Sequence, residues 1–206
     1  MKERVVLLHG IWMRGLAMSV LSRHIVQAGY AVETLDYASV FGGPDVATRA
    51  LAARCGRQRG ERVHLVGHSL GGLVALEALR RAPGLIEGRV VCLGSPLNGS
   101  RAARALGAWP ATRWITGRSA QLLCDGVGSC AEGTAVGVIA GSMPYGLGGF
   151  VAGLPQPHDG TVAVDETRLD GIADHFEIAA THTGLLFSEA AARQTVEFLR
   201  NGRFAR

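Results

Sequence analysis

Val63-His64-Leu65-Val66-Gly67-His68-Ser69-Leu70-Gly71-Gly72-Leu73-Val74-Ala75-Leu76-Glu77-Ala78-Leu79 passes from an apolar, strand-like run through G-x-S-x-G into a helix-like run. A serine on such a strand-to-helix turn needs glycine on both sides, because a Cβ there would collide with the strand or the helix, and the strain of the turn exposes Oγ. The helix that follows aims its free N–H groups at the same spot, where they stabilise negative charge developing on a substrate oxygen. A chain with 29 glycines produces the pentapeptide by chance; the strand before it and the helix after it make the signal specific.

Strand-like and helix-like segments alternate on either side. Arg4 to Leu8 reads as the first strand. Ala17, Leu21, Ile25 and Ala28 recur at helical spacing, with Gly29 as a left-handed stop. Tyr30 to Leu35 reads as a strand, Asp45 to Arg54 as a helix, and Arg62 to Val66 as the strand feeding Ser69. Pro83-Gly84 ends the helix after Ser69, and Arg89 to Leu93 is the next strand. An irregular excursion covers Ser95 to about Thr134. Val136 to Ala140 and Phe176 to Ala180 are the last two strands, and a closing helix runs from Ser188, its expected N-cap, to Asn201-Gly202. Several strands are apolar without period-two alternation, as in a parallel sheet covered on both faces. The expectation is one α/β domain over residues 1–206, a doubly wound, mostly parallel sheet with a small or absent lid and ligands at the carboxyl ends of its strands.

Composition narrows the function classes. With 48% hydrophobic and 18% charged residues the chain reads as a globular enzyme rather than a disordered or fibrous protein. The net charge is +4, yet Lys2 is the only lysine among 21 basic residues. The arginines are scattered, and the densest run, Arg57 to Arg62, contains Glu61; a nucleic-acid partner would need a focused stripe with aromatic platforms. No apolar run approaches the roughly 18 residues of a membrane span, so no stable membrane insertion is expected. With the first strand beginning at Arg4, no cleavable leader is expected, and the reading is cytoplasmic. Cys55 and Cys92 read as buried thiols, and Cys124 with Cys130 as a pair able to close a small loop only if oxidised. No His, Cys and carboxylate cluster has ligand spacing, so neither a metal nor a cofactor is called for.

A serine hydroxyl needs a base, and the base needs an acid that fixes its tautomer. His182 follows the last strand in Ala180-Thr181-His182-Thr183-Gly184, where a loop tip reaches the nucleophile. Among the other histidines, His64 lies mid-strand, His24 on a helix, His175 near a strand start, and His68 inside the elbow, where it packs or bonds locally. His158 is the competing base. The acid is read as Asp159 in Pro157-His158-Asp159-Gly160-Thr161-Val162, so that Ser, Asp and His run in that order along the chain. Asp165, on a further strand-like segment, and Asp174, as a cap of the last strand, are the alternatives. Two N–H donors are needed for the tetrahedral intermediate: Leu70, after the nucleophile, and Ile11, in His9-Gly10-Ile11-Trp12 after the first strand.

Taken with Gly94-Ser95-Pro96-Leu97-Asn98-Gly99-Ser100 and His182-Thr183-Gly184-Leu185-Leu186-Phe187-Ser188, these motifs resemble the α/β-hydrolase superfamily, and within it small bacterial lipases and esterases. The resemblance spans nearly the whole chain. It implies Ser69 as nucleophile, Asp159 as acid, His182 as base, and the N–H groups of Ile11 and Leu70 as oxyanion hole. Two departures stand out: the glycine-rich loop before Asp159 is long for a minimal lipase, and the excursion carries Arg101, Arg104, Arg113 and Arg118 rather than a purely apolar lid.

Trp12, Met13, Trp109, Trp114 and Phe150 lie in segments that surround Ser69 in this fold and favour an apolar acyl group. The expected activity is a carboxylic-ester hydrolase acting on a small-molecule acyl ester through an acyl-serine intermediate. A thioesterase or acyltransferase would use the same residues, and a silent binding protein on the same scaffold is the reading from a different class. The glycine-rich stretches 126–133 and 142–157 are candidate gating loops.

Overall fold

A computed structural model describes residues 2–56, 61–130, 133–145 and 153–206. Its strands are β1 (Lys2–Leu8), β2 (Ala31–Leu35), β3 (Glu61–His68), β4 (Val90–Leu93), β5 (Val136–Gly141) and β6 (Asp174–Ile178). The helices are α1 (Ser19–Gln27), α2 (Gly43–Cys55), α3 (Leu70–Arg81), α4 (Arg101–Ala108), α5 (Ala120–Asp125) and α6 (Glu189–Asn201).

The six strands form one parallel sheet in the order β2-β1-β3-β4-β5-β6. From β1 the chain first builds outward to β2 and then returns to place β3 on the other side of β1. The winding direction therefore reverses between β1 and β3, and a crevice opens at their carboxyl ends. Leu8 pairs with Gly67 at that end, which brings the loop after β1 beside the turn after β3.

Successive strand residues bury on opposite faces, and both faces are covered. Val6 and Leu8 join Leu51, Leu73, Leu76 and Val138 in one core, whereas Val5 and Leu7 join Leu21, Ile25, Val91, Ile139 and Phe198 in the other. This two-sided cover is why the strands read as apolar runs without alternation. Each fully buried Leu, Ile or Phe contributes about 1.5–3 kcal/mol over its exposed state. Gly137 gives Phe198 its place, since a Cβ there would come within 2.6 Å of the ring.

Sequence-predicted stops and caps match local chemistry at several ends. Ser188 accepts the Ala191 N–H at 3.2 Å, and Gly202 is left-handed at φ 73° where α6 ends. Gly29 is likewise left-handed, at φ 98°. The excursion expected to be irregular instead contains α4, α5 and two 3-10 turns, Arg113–Ile115 and Gly117–Ser119. Ser100 starts α4 by accepting the Ala103 N–H at 3.1 Å. Cys55, Cys92 and Cys124 are free thiols, and burial pushes the Cys55 thiol up to about 11.

Candidate active site

Ser69 sits between β3 and α3 with φ 54° and ψ −121°, a conformation that L-residues rarely adopt. Such a backbone costs of order 1–3 kcal/mol and persists only where its surroundings over-determine it. Here they do. Ser69 N–H donates to Leu93 O at 2.9 Å, carrying the β3–β4 ladder into the turn, and Gly72 N–H donates to Ser69 O at 3.1 Å. Three neighbouring glycines admit backbone where a side chain would not fit. A Cβ on Gly67 would overlap the Gly71–Gly72 backbone, one on Gly71 the Leu8 carbonyl, and one on Gly72 the Ser95 hydroxyl. Among the described residues, Ser69 Oγ has no hydrogen-bond partner.

Asp159 is placed by its own backbone. Its N–H donates to Val162 O at 3.0 Å, while its Oδ1 accepts from Thr161 N–H at 2.9 Å and Val162 N–H at 2.7 Å. That tight turn leaves Oδ2 free, 2.7 Å from His182 Nδ1. His182 arrives from β6: beyond the strand, Ser142 N–H bonds Ile178 O and Met143 N–H bonds Ala180 O, and His182 N–H then donates to Asp159 O at 2.8 Å. A carboxylate at Oδ2 keeps the imidazole proton on Nδ1 and leaves the Nε2 lone pair open. Gly94, at φ 54°, backs against this pair, and a Cβ on it would stand 3.1 Å from Asp159 Oδ2, His182 Nδ1 and Leu185 Cδ1.

His68 links the two halves. Its Nε2 lies 2.9 Å from the His182 carbonyl oxygen, and the two rings are 4.7 Å apart between centroids, tilted by 48°. Burial, and next the neighbouring His182 imidazole, push His68 down to about 3, so it is neutral at neutral pH. The bond expected to be local thus reaches a residue 114 positions away.

On the other side of Ser69, a Cβ on Gly10 would be 3.2 Å from Ser69 Cβ, His68 Nδ1 and Met13 Sδ. The loop after β1 therefore lies directly against the nucleophile turn. His9, fully buried, donates from Nδ1 to Gly10 O at 2.8 Å and stacks on Tyr37 with centroids 4.4 Å apart. Tyr37 in turn donates from its hydroxyl to His9 O at 2.6 Å and from its N–H to His9 Nε2 at 3.3 Å. Because N–H and C=O oppose each other across a trans peptide, fixing the Gly10 carbonyl also fixes the Ile11 N–H. Among the described residues, the N–H groups of Ile11 and Leu70 have no hydrogen-bond partner. Tyr37 carried no sequence signal; a Tyr facing the His of His9-Gly10 across the β1–β2 edge is its only cue.

Of the expected pocket residues, Met13 approaches Ser69 as described. Trp12, also left-handed at φ 58°, donates from Nε1 to Ile115 O at 2.7 Å and meets Trp114 and Phe41 edge-on, at 5.6 and 6.2 Å. Trp109 is exposed at the end of α4 and makes no ring contact with them among the described residues. Phe150 and much of stretch 142–157 lie outside the described residues. The competing groups have other duties. His158 accepts the Gly160 N–H at its Nδ1, at 3.0 Å. Asp165 lies on a 3-10 turn, Val164–Thr167, rather than on a strand, and pairs with Arg101 at 2.8 Å. Asp174 begins β6 and accepts from Phe204 N–H and His175 N–H, both at 2.9 Å. No group of His, Cys and carboxylates able to hold a metal occurs among the described residues. No described helix is long and apolar enough to cross a membrane.

Comparison with known proteins follows the same lines. The fold is similar to that of a metagenomic carboxyl esterase, with a TM-score of 0.66 and 16% identity, over 87% of this chain and 64% of the esterase, so the chain spans under two thirds of that protein. It is similar to a monoacylglycerol lipase from Paleococcus ferrophilus, with a TM-score of 0.67 and 18% identity, covering 97% and 94% of the two chains. A pyrethroid hydrolase from Sphingobium faniae gives a TM-score of 0.65 at 16% identity, with 98% of each chain covered. The curated protein sequences give no match. At such identities the likeness speaks for the fold alone. The family description that fits residues 5–200, nearly all of the chain, is that of the alpha/beta hydrolase family, and the protein belongs to that family.

Proposed function

We propose that this protein is a serine hydrolase that cleaves carboxylic esters of apolar acyl groups, with Ser69 as nucleophile, His182 as general base and Asp159 as the acid that orients it. One observation carries the reading: Asp159 and His182 form a hydrogen-bonded pair whose imidazole packs on the residue preceding Ser69. Catalytic hydrogen bonds are commonly long before substrate binds, so a free Ser69 Oγ fits a resting enzyme.

In the reaction, Ser69 Oγ attacks the ester carbonyl carbon while His182 Nε2 takes the hydroxyl proton. The carbonyl oxygen becomes an oxyanion that the unpaired N–H groups of Ile11 and Leu70 receive. Collapse breaks the bond to the leaving alkoxide, which takes the proton from His182, and leaves acyl-Ser69. Water then repeats the sequence: His182 removes its proton, the hydroxide oxygen bonds to the acyl carbon, and Ser69 departs with the proton restored. Met13 lies beside Ser69, and Trp12 with Trp114, in edge-on contact with each other, is read as the continuation of that apolar wall, which supports an apolar acyl group. Trp109 and Phe150 belong to the same expected wall. The partner is a small-molecule ester, with no nucleic acid, no stable membrane insertion, no metal and no cofactor in the reaction. Residues 1–206 act as one cytoplasmic catalytic domain. Esterase and lipase activities among proteins of similar fold agree with this.

The test is stoichiometric labelling by a fluorophosphonate, abolished in Ser69→Ala, together with a chain-length series of p-nitrophenyl esters and acyl-CoA. A folded, unlabelled protein overturns the proposal; preference for acyl-CoA over every simple ester moves it to a thioesterase.

A further inference from the structure

His68 takes no step in the chemistry above, yet it is buried at the centre of it. A carbonyl oxygen only accepts, so the contact with His182 O places the proton of His68 on Nε2 and leaves Nδ1 bare. That Nδ1 is buried without a partner. It faces the Gly10 backbone and Met13 Sδ, where a Cβ on Gly10 would lie 3.2 Å away. The titratable groups around the ring are His182, Asp159 and His9. A proton on Nδ1 would have no acceptor, and it would set a second cation beside the imidazolium that His182 becomes during attack.

Both hydrogen bonds made by the N–H groups of His182 go to Asp159. They make a rigid acid–base unit, and neither sets the distance from that unit to the nucleophile. Among the described residues, the hydrogen bond that joins the unit to the nucleophile turn is the one from His68, the residue next to Ser69. We infer that His68 is a positioning residue for the proposed base: its Nε2–H and ring face hold the His182 backbone and imidazole in register with Ser69. This rests on the reading of Ser69 and His182 as nucleophile and base. Because residues 68 and 69 share one strained turn, the bond passes the position of the nucleophile directly to the base, 114 residues further on.

The experiment compares His68→Phe, which keeps ring volume without a donor, with His68→Gln, whose amide nitrogen reaches the Nε2 position. Readouts are kcat and KM on a short p-nitrophenyl ester, thermal midpoint, and the downfield proton resonance of His182 Nδ1–H. In a folded His68→Phe, kcat falls about 10²-fold, the loss expected of a displacement near 1 Å, and the downfield resonance broadens. KM stays within about 2-fold, since binding is not what is lost. His68→Gln recovers most of kcat. Wild-type kcat in His68→Phe, or losses that follow thermal midpoint equally in both variants, overturns the inference. Should His68→Phe fail to fold, His68→Asn against His68→Gln makes the same comparison, because only the longer amide reaches His182 O; equal rates then overturn it. A wild-type protein that neither labels at Ser69 nor turns over any ester removes the proposed function and this inference together. An active wild type with an indifferent residue 68 removes the inference alone.

Discussion

Asp159 and His182 hold each other twice, side chain to side chain at 2.7 Å and His182 N–H to Asp159 O at 2.8 Å. The second bond does not involve the carboxylate, so the acid can be altered without releasing the loop. In Asp159→Asn the amide oxygen still accepts from Thr161 and Val162, and the amide NH2 faces His182 Nδ1 and forces it to accept. The imidazole proton then moves to Nε2, where the proposed base must be bare. The expected result is a fall in kcat of about 10⁴-fold with little change in urea midpoint, measured on p-nitrophenyl butyrate.

His9 holds the Gly10 carbonyl from within the core. Replacing it by Leu frees the Gly10–Ile11 peptide to rotate and withdraws one of the two proposed oxyanion donors, so kcat falls about 10²-fold or more with a smaller effect on KM. His9→Asn, whose amide nitrogen occupies the Nδ1 position, restores most of the rate. Equal rates in the two variants would show that the peptide is held by other means.

Gly71 and Gly84 separate steric from conformational cost. A Cβ on Gly71 would overlap the Leu8 carbonyl, whereas at Gly84, with φ 79°, there is nothing within 4 Å. Gly84→Ala pays only the left-handed backbone penalty, about 1 kcal/mol in urea unfolding. Gly71→Ala must push β1 away from α3, and it unfolds the turn or the protein: soluble yield and ester turnover both collapse.

Buried histidines make the fold sensitive to mild acid. Burial is the first cause that lowers His64 to about 4 and His68 to about 3, and it lowers His175 as well. In the unfolded chain each takes a proton near 6.5, so the unfolded state binds more protons below that pH. The stability contributed by their neutral forms is therefore whole above about pH 6.5 and is lost as pH falls toward the folded values, by up to about 1.4 kcal/mol per pH unit for each. Glu166, raised by burial, works in the opposite sense, while the lowered Asp165 and Asp174 act only in the more acidic carboxylate range. Urea midpoints from pH 7.5 to 5 should decline, and less steeply in His64→Asn, whose amide oxygen still accepts the Arg89 N–H that His64 Nδ1 takes at 3.0 Å.

Most of the sheet was legible because its physics is local. A strand buried on both faces shows as an apolar run, and Ser188 and Gly202 mark the ends of α6 by their own hydrogen-bonding and backbone preferences. Asp159 and His182 could be named from their places after strands and in chain order. The helices of 101–125 were not legible, because α4 and α5 have 8 and 6 residues, too few turns for an Ala- and Arg-rich segment to display a period. The segment carrying Asp165 reads as strand-like; the turn there is instead held by the Glu166 carboxylate, which accepts from Ala163 N–H at 2.8 Å and Arg101 N–H at 2.5 Å. The roles of His68 and Tyr37 are set wholly by partners 114 and 28 residues away, and no window of sequence around either contains that information.

β6, which delivers His182, is an edge strand of the sheet and, among the described residues, the last of its strands in sequence. Translation completes the nucleophile turn while the imidazole that would arm it is still unmade. On the proposed mechanism, a nascent chain on the ribosome carries an inert serine. Ester turnover switches on only when this strand docks, so enzymatic activity becomes a timer for the completion of the sheet.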